Sequence, residues 1–280
     1  VWTSKPSAPQ RKETDMLDNA TRSKIVDDLF RVYETRQPIR LLTKTYPGIT
    51  VEDSYRIQEE FIARQLKAGA RIKGYKVGLT SKPMQEMAGS TEPDFSAMTD
   101  DLFIPEDTPI PASRFFAPMI EIEIAFVMKH ALKGPGITPV DVIRATDFVL
   151  PAIEIVDFRL AREPGMNLID TVADLAACGA VVLGANPRSL ESIDVRRVKG
   201  SIINNGKVEQ EGFASAVLGN PVTSVAWLAN KLGEFGVTFE PGHVILTGSF
   251  VRAFPVKAGD SIVASFDQGL GDVLTSFVAD

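Results

Sequence analysis

The segment Ile120-Glu121-Ile122-Glu123-Ile124-Ala125-Phe126 alternates apolar and acidic residues with the period of a β-strand. Residues two apart share a strand face, so Glu121 and Glu123 project together, with Ala125 and Val127 beyond them. Ile120, Ile122, Ile124 and Phe126 then form a core-facing side. Two carboxylates so close repel each other unless a proton or a cation sits between them. The plain alternative is a solvated sheet face. A third carboxylate, Glu154, lies in Leu150-Pro151-Ala152-Ile153-Glu154-Ile155-Val156, a run apolar on both sides, as in a strand buried on both faces. An unpartnered charge there is costly. Glu154 therefore pairs with Arg159 or Lys76, or it joins Glu121 and Glu123 around Mg2+ or Mn2+ with octahedral positions left open for water and substrate.

Two further residues carry possible chemistry. Lys76 sits in Lys73-Gly74-Tyr75-Lys76-Val77-Gly78-Leu79-Thr80-Ser81, an apolar, glycine-flanked strand end where a cation suits a carboxylate ligand. The competing reading is a surface lysine on an edge strand. Asp94 follows Pro93 in Glu92-Pro93-Asp94-Phe95, a position that commonly starts a turn.

The elements that must position these residues follow from periodicity and caps. Leu17 to Arg36 reads as an amphipathic helix through Ile25, Leu29 and Val32. Thr50 with Asp53 caps a second helix carrying Tyr55, Ile57, Phe61, Ile62 and Leu66, stopped near Gly69. Residues 16–70 thus form a helical scaffold unit, after a tail over 1–15 that reads as disordered. Thr138, Pro139 and Asp141 open another helix, and Asn220-Pro221 caps one whose apolar face is Val225, Leu228, Ala229 and Leu232. Strands are expected at 148–156, 243–246, 261–266 and 273–278, with a two-residue hairpin at Asn205-Gly206. Strands and helices do not alternate regularly, and there is no G-x-G-x-x-G or P-loop. The expected fold is α+β, a β-roll or barrel over residues 71–280.

Composition narrows the function. The 280 residues carry 30 Lys+Arg against 36 Asp+Glu, a formal net charge of −6 that argues against nucleic acid or an anionic membrane. The basic run Arg196, Arg197 and Lys199 is too short to alter that. A single cysteine, Cys178, forms no intrachain disulfide, so a reducing cytoplasmic setting is expected. Two histidines nearly exclude a histidine-rich zinc site. No signal peptide shows in the first residues, and no uncharged apolar run reaches the ~18 residues of a membrane span.

The motifs K-G-Y-K-V-G-L-T-S (73–81), E-P-D-F (92–95), I-E-I-E-I-A-F (120–126), L-P-A-I-E-I-V-D (150–157) and I-L-T-G-S (245–249), in this order, resemble the hydratase/decarboxylase branch of the fumarylacetoacetate hydrolase superfamily. The resemblance spans about residues 20–278. It implies a mixed β-roll with Mg2+ or Mn2+ held by Glu121, Glu123 and Glu154, and Lys76 and Asp94 as catalytic residues. It also implies that Lys76, Leu79, Thr80, Ser81 and Ser249 contact the substrate, a 2-hydroxy-2,4-dienoate (2-oxo-4-enoate) of aromatic catabolism that is hydrated to a 4-hydroxy-2-oxo acid. Relatives form homo-oligomers.

There are departures from the pattern. Asp174-Leu175 stands where related sequences often read Asp-Asn, and Ser96 where glycine is common. Decarboxylases of 4-oxalocrotonate share the branch, but many carry an apolar residue at the position of Asp94, which favours hydration. Carbon–carbon hydrolases of the superfamily use a His–Glu pair, for which His130, in a loop, and His243, opening a strand, are poorly placed. A non-catalytic, metal-stabilised scaffold has no need for a buried acidic cluster beside a lysine. No charged residue announces a clamp for a second substrate carboxylate; Arg159, Arg162 and Arg252 are available, with surface placement the expectation for each.

Overall fold

The computed structural model describes residues 17–280, so the expected tail over 1–15 lies outside the described residues. Helices α1 (Asn19–Thr35), α2 (Leu42–Thr45) and α3 (Val51–Lys67) come first. Asp18 caps α1 by accepting the Thr21 N–H at 2.7 Å. The expected capping box opens α3: Thr50 and Asp53 each accept the other's backbone N–H. Phe30 and Phe61 stack at 4.1 Å where α1 meets α3. Their apolar cluster also takes in Leu160, Ala173 and Leu175, residues far along the chain. The helical unit is therefore packed onto the loops that follow the third glutamate.

Strands β1 (Ile72–Gly78) and β2 (Asp94–Thr99) bracket α4 (Lys82–Ala88). Short strands β3 (Phe103–Ile104) and β4 (Pro109–Pro111) lead into the long β5 (Met119–Met128). Helix α5 (Pro139–Ala145) runs straight into β6 (Thr146–Val156), and α6 (Leu168–Ala173) precedes β7 (Cys178–Leu183). The β8 (Lys199–Asn204) to β9 (Lys207–Phe213) hairpin turns at Asn205-Gly206 as expected, both residues having positive φ. Helix α7 (Pro221–Gly233) and strands β10 (Val244–Leu246), β11 (Phe254–Pro255), β12 (Ser261–Phe266) and β13 (Gly271–Val278) complete the chain.

Two sheets result, and they carry the mixed α+β architecture expected from the sequence. The larger runs β2-β1-β10-β5-β6-β7-β3, with β11 attached to β5; the smaller runs β4-β13-β12-β8-β9. The main core lies on the Ile120, Ile122, Ile124 and Phe126 side of β5, and all four are fully buried. On the opposite face, Ala125, Ala152, Val181, Leu246 and Cys178 form a smaller apolar patch around the glutamates. The short α4 and α6 had no distinct periodic signal, because one or two turns display too few repeats of a 3.6-residue pattern, and β7 (Cys178-Gly179-Ala180-Val181-Val182-Leu183) shows no period-two alternation.

Strands β1 and β10 pair in parallel at very close range. A Cβ added at Gly74 would fall 1.8 Å from the Val244 carbonyl oxygen. Gly74→Ala should therefore force the two strands apart and destabilise the protein by about 3 kcal/mol or more. Thermal unfolding followed by circular dichroism checks this; an unchanged Tm would mean that the strands separate freely.

Candidate active site

Strand pairing alone assembles the acidic cluster. Glu121 on β5 stands opposite Glu154 on β6, and Glu123 lies two residues farther on the same face. One carboxylate oxygen from each of the three falls within 4.8 Å of the others, the one such group of potential ligands among the described residues. Glu123 and Glu154 are completely buried, whereas Glu121 keeps some exposure. Glu123 Oε2 accepts the Gly248 N–H at 2.7 Å. Glu123 Oε1 and both oxygens of Glu154 have no hydrogen-bond partner among the described residues. Orphaned, buried carboxylate oxygens are costly unless something cationic meets them. Their spacing is close to the roughly 4–5 Å across the oxygen shell of a hard divalent cation, so these residues fit such an ion.

Lys76 supplies part of the missing charge. Its Nζ lies 2.7 Å from Glu154 Oε1 without hydrogen-bond alignment, and it donates to the Ala176 carbonyl at 2.8 Å. Lys76, and not Arg159, is thus the partner of Glu154. Strand β1 lies between β2 and β10, so Lys76 is interior, only 4% exposed, rather than on an edge. Asp94 begins β2 instead of a turn, and it is buried opposite Gly78. A Cβ at Gly78 would stand 2.1 Å from Asp94 Oδ1, so glycine is what lets this carboxyl approach the β1 backbone. Asp94 Oδ1 has no hydrogen-bond partner among the described residues either.

Four carboxyl groups facing one ammonium cannot all ionise easily. Burial, then the charge of Glu154, pushes Glu121 up to about 8, and the same two causes hold Glu123 well above its ordinary value. Burial raises Asp94 to about 6 even though Lys76 pulls it down. Burial opposes the charge on Lys76, but the surrounding acids, chiefly Glu154, outweigh it and hold the ammonium above its usual range.

The loops after β1 and β10 meet beside this cluster. Leu79 has φ 54°, and its carbonyl accepts from Gln85 Nε2 at 2.9 Å. The Thr80 side chain packs on Gly248, the residue whose N–H holds Glu123, so closely that a Cβ there would lie 2.4 Å from Thr80 Cγ2. Ser249 Oγ donates to the Val251 carbonyl at 2.9 Å, next along the same loop. Ser81 starts α4 with no side-chain cap bond, and no contact ties it to the carboxylates. His130 is exposed, and His243 Nδ1 accepts the Glu240 N–H at 3.1 Å, so neither histidine serves the cluster.

Sequence reasoning missed the backbone groups at this site, the Gly248 N–H and the Ala176 carbonyl, because a main-chain atom leaves no mark in residue types. It also misplaced Arg159. That residue is only 3% exposed and forms an ion pair with the fully buried Asp174. Leu175 turns its side chain into the apolar cluster of the helical unit.

Residues 67–278 match the fumarylacetoacetate (FAA) hydrolase C-terminal family, and the chain belongs to that family. It is 38% identical to 2-oxo-hept-4-ene-1,7-dioate hydratase of Escherichia coli over 268 residues, covering 94% of this chain and all of the relative. It is 40% identical to 2-hydroxyhexa-2,4-dienoate hydratase of Comamonas testosteroni over 235 residues, 82% of this chain and 89% of that one. Among solved structures, 4-oxalocrotonate decarboxylase from Pseudomonas putida G7, complexed with magnesium and adipate, superposes with a TM-score of 0.89. The identity is 34%, with 94% of this chain and 99% of that chain covered.

The raised acids fix a pH dependence. Unfolded, Glu121 would ionise at 4.5; folded, it holds its proton up to about 8. Between these values the folded state binds more protons than the unfolded one, so stability falls as pH rises. Asp94 acts the same way between 3.8 and about 6. With a chelator present, Tm should decline from about pH 5 to about pH 8, and added divalent cation should restore most of the loss at the alkaline end. A Tm that rises across this range, or ignores the cation, would contradict the site geometry.

Proposed function

We propose that this chain is a divalent-metal-dependent hydro-lyase that adds water to a 2-hydroxy-2,4-dienoate (2-oxo-4-enoate), forming a 4-hydroxy-2-oxo acid in meta-cleavage degradation of aromatic compounds. The hydratases that match nearly the whole chain support this reaction class. The observation that carries it is Asp94: a buried carboxyl beside Lys76, with one oxygen unpartnered and its pKa pushed up to about 6. A group tuned toward neutrality can hold or move a proton at physiological pH.

Glu121, Glu123 and Glu154 would hold Mg2+, with Mn2+ an equivalent hard ion for the same oxygens. When bound, the ion supplies Lewis-acid polarisation of the 2-oxo and carboxylate oxygens. Lys76, steadied by the Ala176 carbonyl, orients the anionic end of the substrate. Asp94 gives or takes the proton on the carbon chain and orients the attacking water. Leu79, Thr80, Ser81 and Ser249 line the substrate on the loops after β1 and β10. The apolar patch of Ala125, Ala152, Val181 and Leu246 keeps bulk water from the charged groups.

This reading assigns residues 71–280 to catalysis and 16–70 to the helical support. It also carries a cytoplasmic setting, which suits the unpaired, buried Cys178. It carries homo-oligomeric assembly as well, which the family resemblance implies. No helix among the described residues is long and apolar enough to cross a bilayer. A second reading, decarboxylation of 4-oxalocrotonate, is favoured by the close superposition on that decarboxylase.

One experiment separates the two. Purified protein with Mg2+ is incubated with 2-hydroxypenta-2,4-dienoate, its six-carbon homologue or 4-oxalocrotonate, and dienol loss, hydroxy-oxo acid and CO2 are measured. Hydration of a dienol is expected, and Asp94→Asn should lower kcat by about 10²–10⁴-fold while leaving the Mg2+-induced rise in Tm intact. Rapid CO2 release without hydration would establish the decarboxylase instead. No turnover of any substrate would leave the non-catalytic scaffold.

A further inference from the structure

The segment between α6 and β7, which carries the Ala176 carbonyl, is strained. Leu175, Ala176 and Ala177 have φ of 56°, 48° and 58°, three consecutive left-handed residues, none of them glycine. Residues with a Cβ avoid this region and persist there only where surrounding contacts over-determine the backbone. Beside two backbone bonds, Asp157 N–H to the Ala177 carbonyl and Ala177 N–H to the Asp174 carbonyl, both 2.9 Å, the contacts centre on one ion pair. Asp174 Oδ2 accepts the backbone N–H of Arg159 at 2.8 Å and of Leu160 at 3.3 Å, and Arg159 Nε meets Asp174 Oδ1. The guanidinium also donates from Nη2 to the Asp174 carbonyl at 2.8 Å and from Nη1 to the Cys178 carbonyl at 3.2 Å. Arg159 therefore staples together the two residues that flank the left-handed turn.

The tip of that turn is the Ala176 carbonyl, which receives the Lys76 ammonium at 2.8 Å. The helical unit braces the same assembly. The Tyr33 hydroxyl accepts from Arg159 Nη1 at 3.1 Å, and the buried Gln58 amide donates to Val172 O at 2.8 Å and to Phe95 O, next to Asp94, at 3.1 Å.

We propose that Arg159 and Asp174 are positioning residues for Lys76: their buried pair clamps the turn Leu175–Ala177, and the turn aims the Ala176 carbonyl that fixes the ammonium beside Glu154. The inference rests on the proposed catalytic role of Lys76. A buried ion pair is seldom the most stable filling for its space, so stability alone is a weak reason for this one.

A double-mutant cycle tests it. Arg159→Lys keeps the charge but loses the planar fork, and Asp174→Asn removes the acceptor charge. Each is made in the native background and with Lys76→Gln, and assayed with 2-hydroxypenta-2,4-dienoate and Mg2+. In the native background kcat should fall about 10–100-fold with little change in KM or in the Mg2+-induced rise in Tm. With Lys76→Gln, the same substitutions should lower kcat by less than about 3-fold while lowering Tm by the same amount as before. Equal losses of kcat in both backgrounds would reduce the pair to a structural role. Should Asp174→Asn fail to fold, the Arg159→Lys arm completes the cycle. Reductive methylation of Lys76, read by peptide mass spectrometry, needs no turnover. It should rise several-fold in Arg159→Lys, and unchanged labelling overturns the proposal even if the wild-type protein hydrates no dienol, an outcome that by itself would count against the proposed function only.

Discussion

Charge held in an apolar interior is the constraint around which this protein is organised. Glu123 and Glu154 are sealed inside a sheet whose neighbouring side chains are alanine, valine and leucine, and Glu121 stands directly across from Glu154. Asp94 adds a fourth carboxyl, yet among the described residues only Lys76 brings a compensating side-chain charge into the cluster. Without a cation, the folded chain must retain protons that water would strip away, and the raised acids are the expression of that cost. A divalent ion held there would relieve the repulsion and satisfy the orphaned oxygens together, linking ion binding to folding stability.

The rest of the fold keeps that interior in register. A slip of one residue between β5 and β6 would turn Glu121 and Glu123 into the main core and the isoleucines toward the site, so the pairing is strongly specified. Close backbone approaches at Gly74, Gly78 and Gly248 let β10, Asp94 and Thr80 crowd in where a Cβ would exclude them. Helices α1–α3 carry none of the four carboxyls or Lys76, but their cluster reaches Leu160 and Leu175, and Gln58 hydrogen-bonds the strand that carries Asp94. The three glutamates need only the sheet, whereas the setting of Lys76 depends on loops that this helical unit supports.

Much of this was legible in the sequence, for physical reasons that differ by residue. The period-two pattern of residues 120–126 told which carboxylates share a face, and the apolar surroundings of Glu154 told that it must have a partner. Caps at Thr50, Thr138 and Asn220 and the Asn205-Gly206 turn fixed element ends, because capping and turn chemistry is local. Arg159 was unreadable, because its partner Asp174 lies in a loop whose path depends on tertiary packing. The left-handed turn at Leu175 was hidden too, since leucine and alanine give no sign of a conformation usually left to glycine or asparagine. Strands β1 and β6 are not neighbours, with β10 and β5 between them, so the pairing of Glu154 with Lys76 rather than Arg159 depends on the path of the whole sheet.

The account is tested most directly by calorimetric titration of the chelator-treated protein with Mg2+ near pH 7, in buffers of different ionisation enthalpy. Binding should saturate at a single ion per chain and release on the order of one proton, because Glu121 and Glu123 hold protons that the ion must displace. Glu123→Gln should abolish the saturable heat. Absence of binding, or binding with no proton release and no effect of that substitution, would contradict the claim that the buried carboxylates form a metal centre.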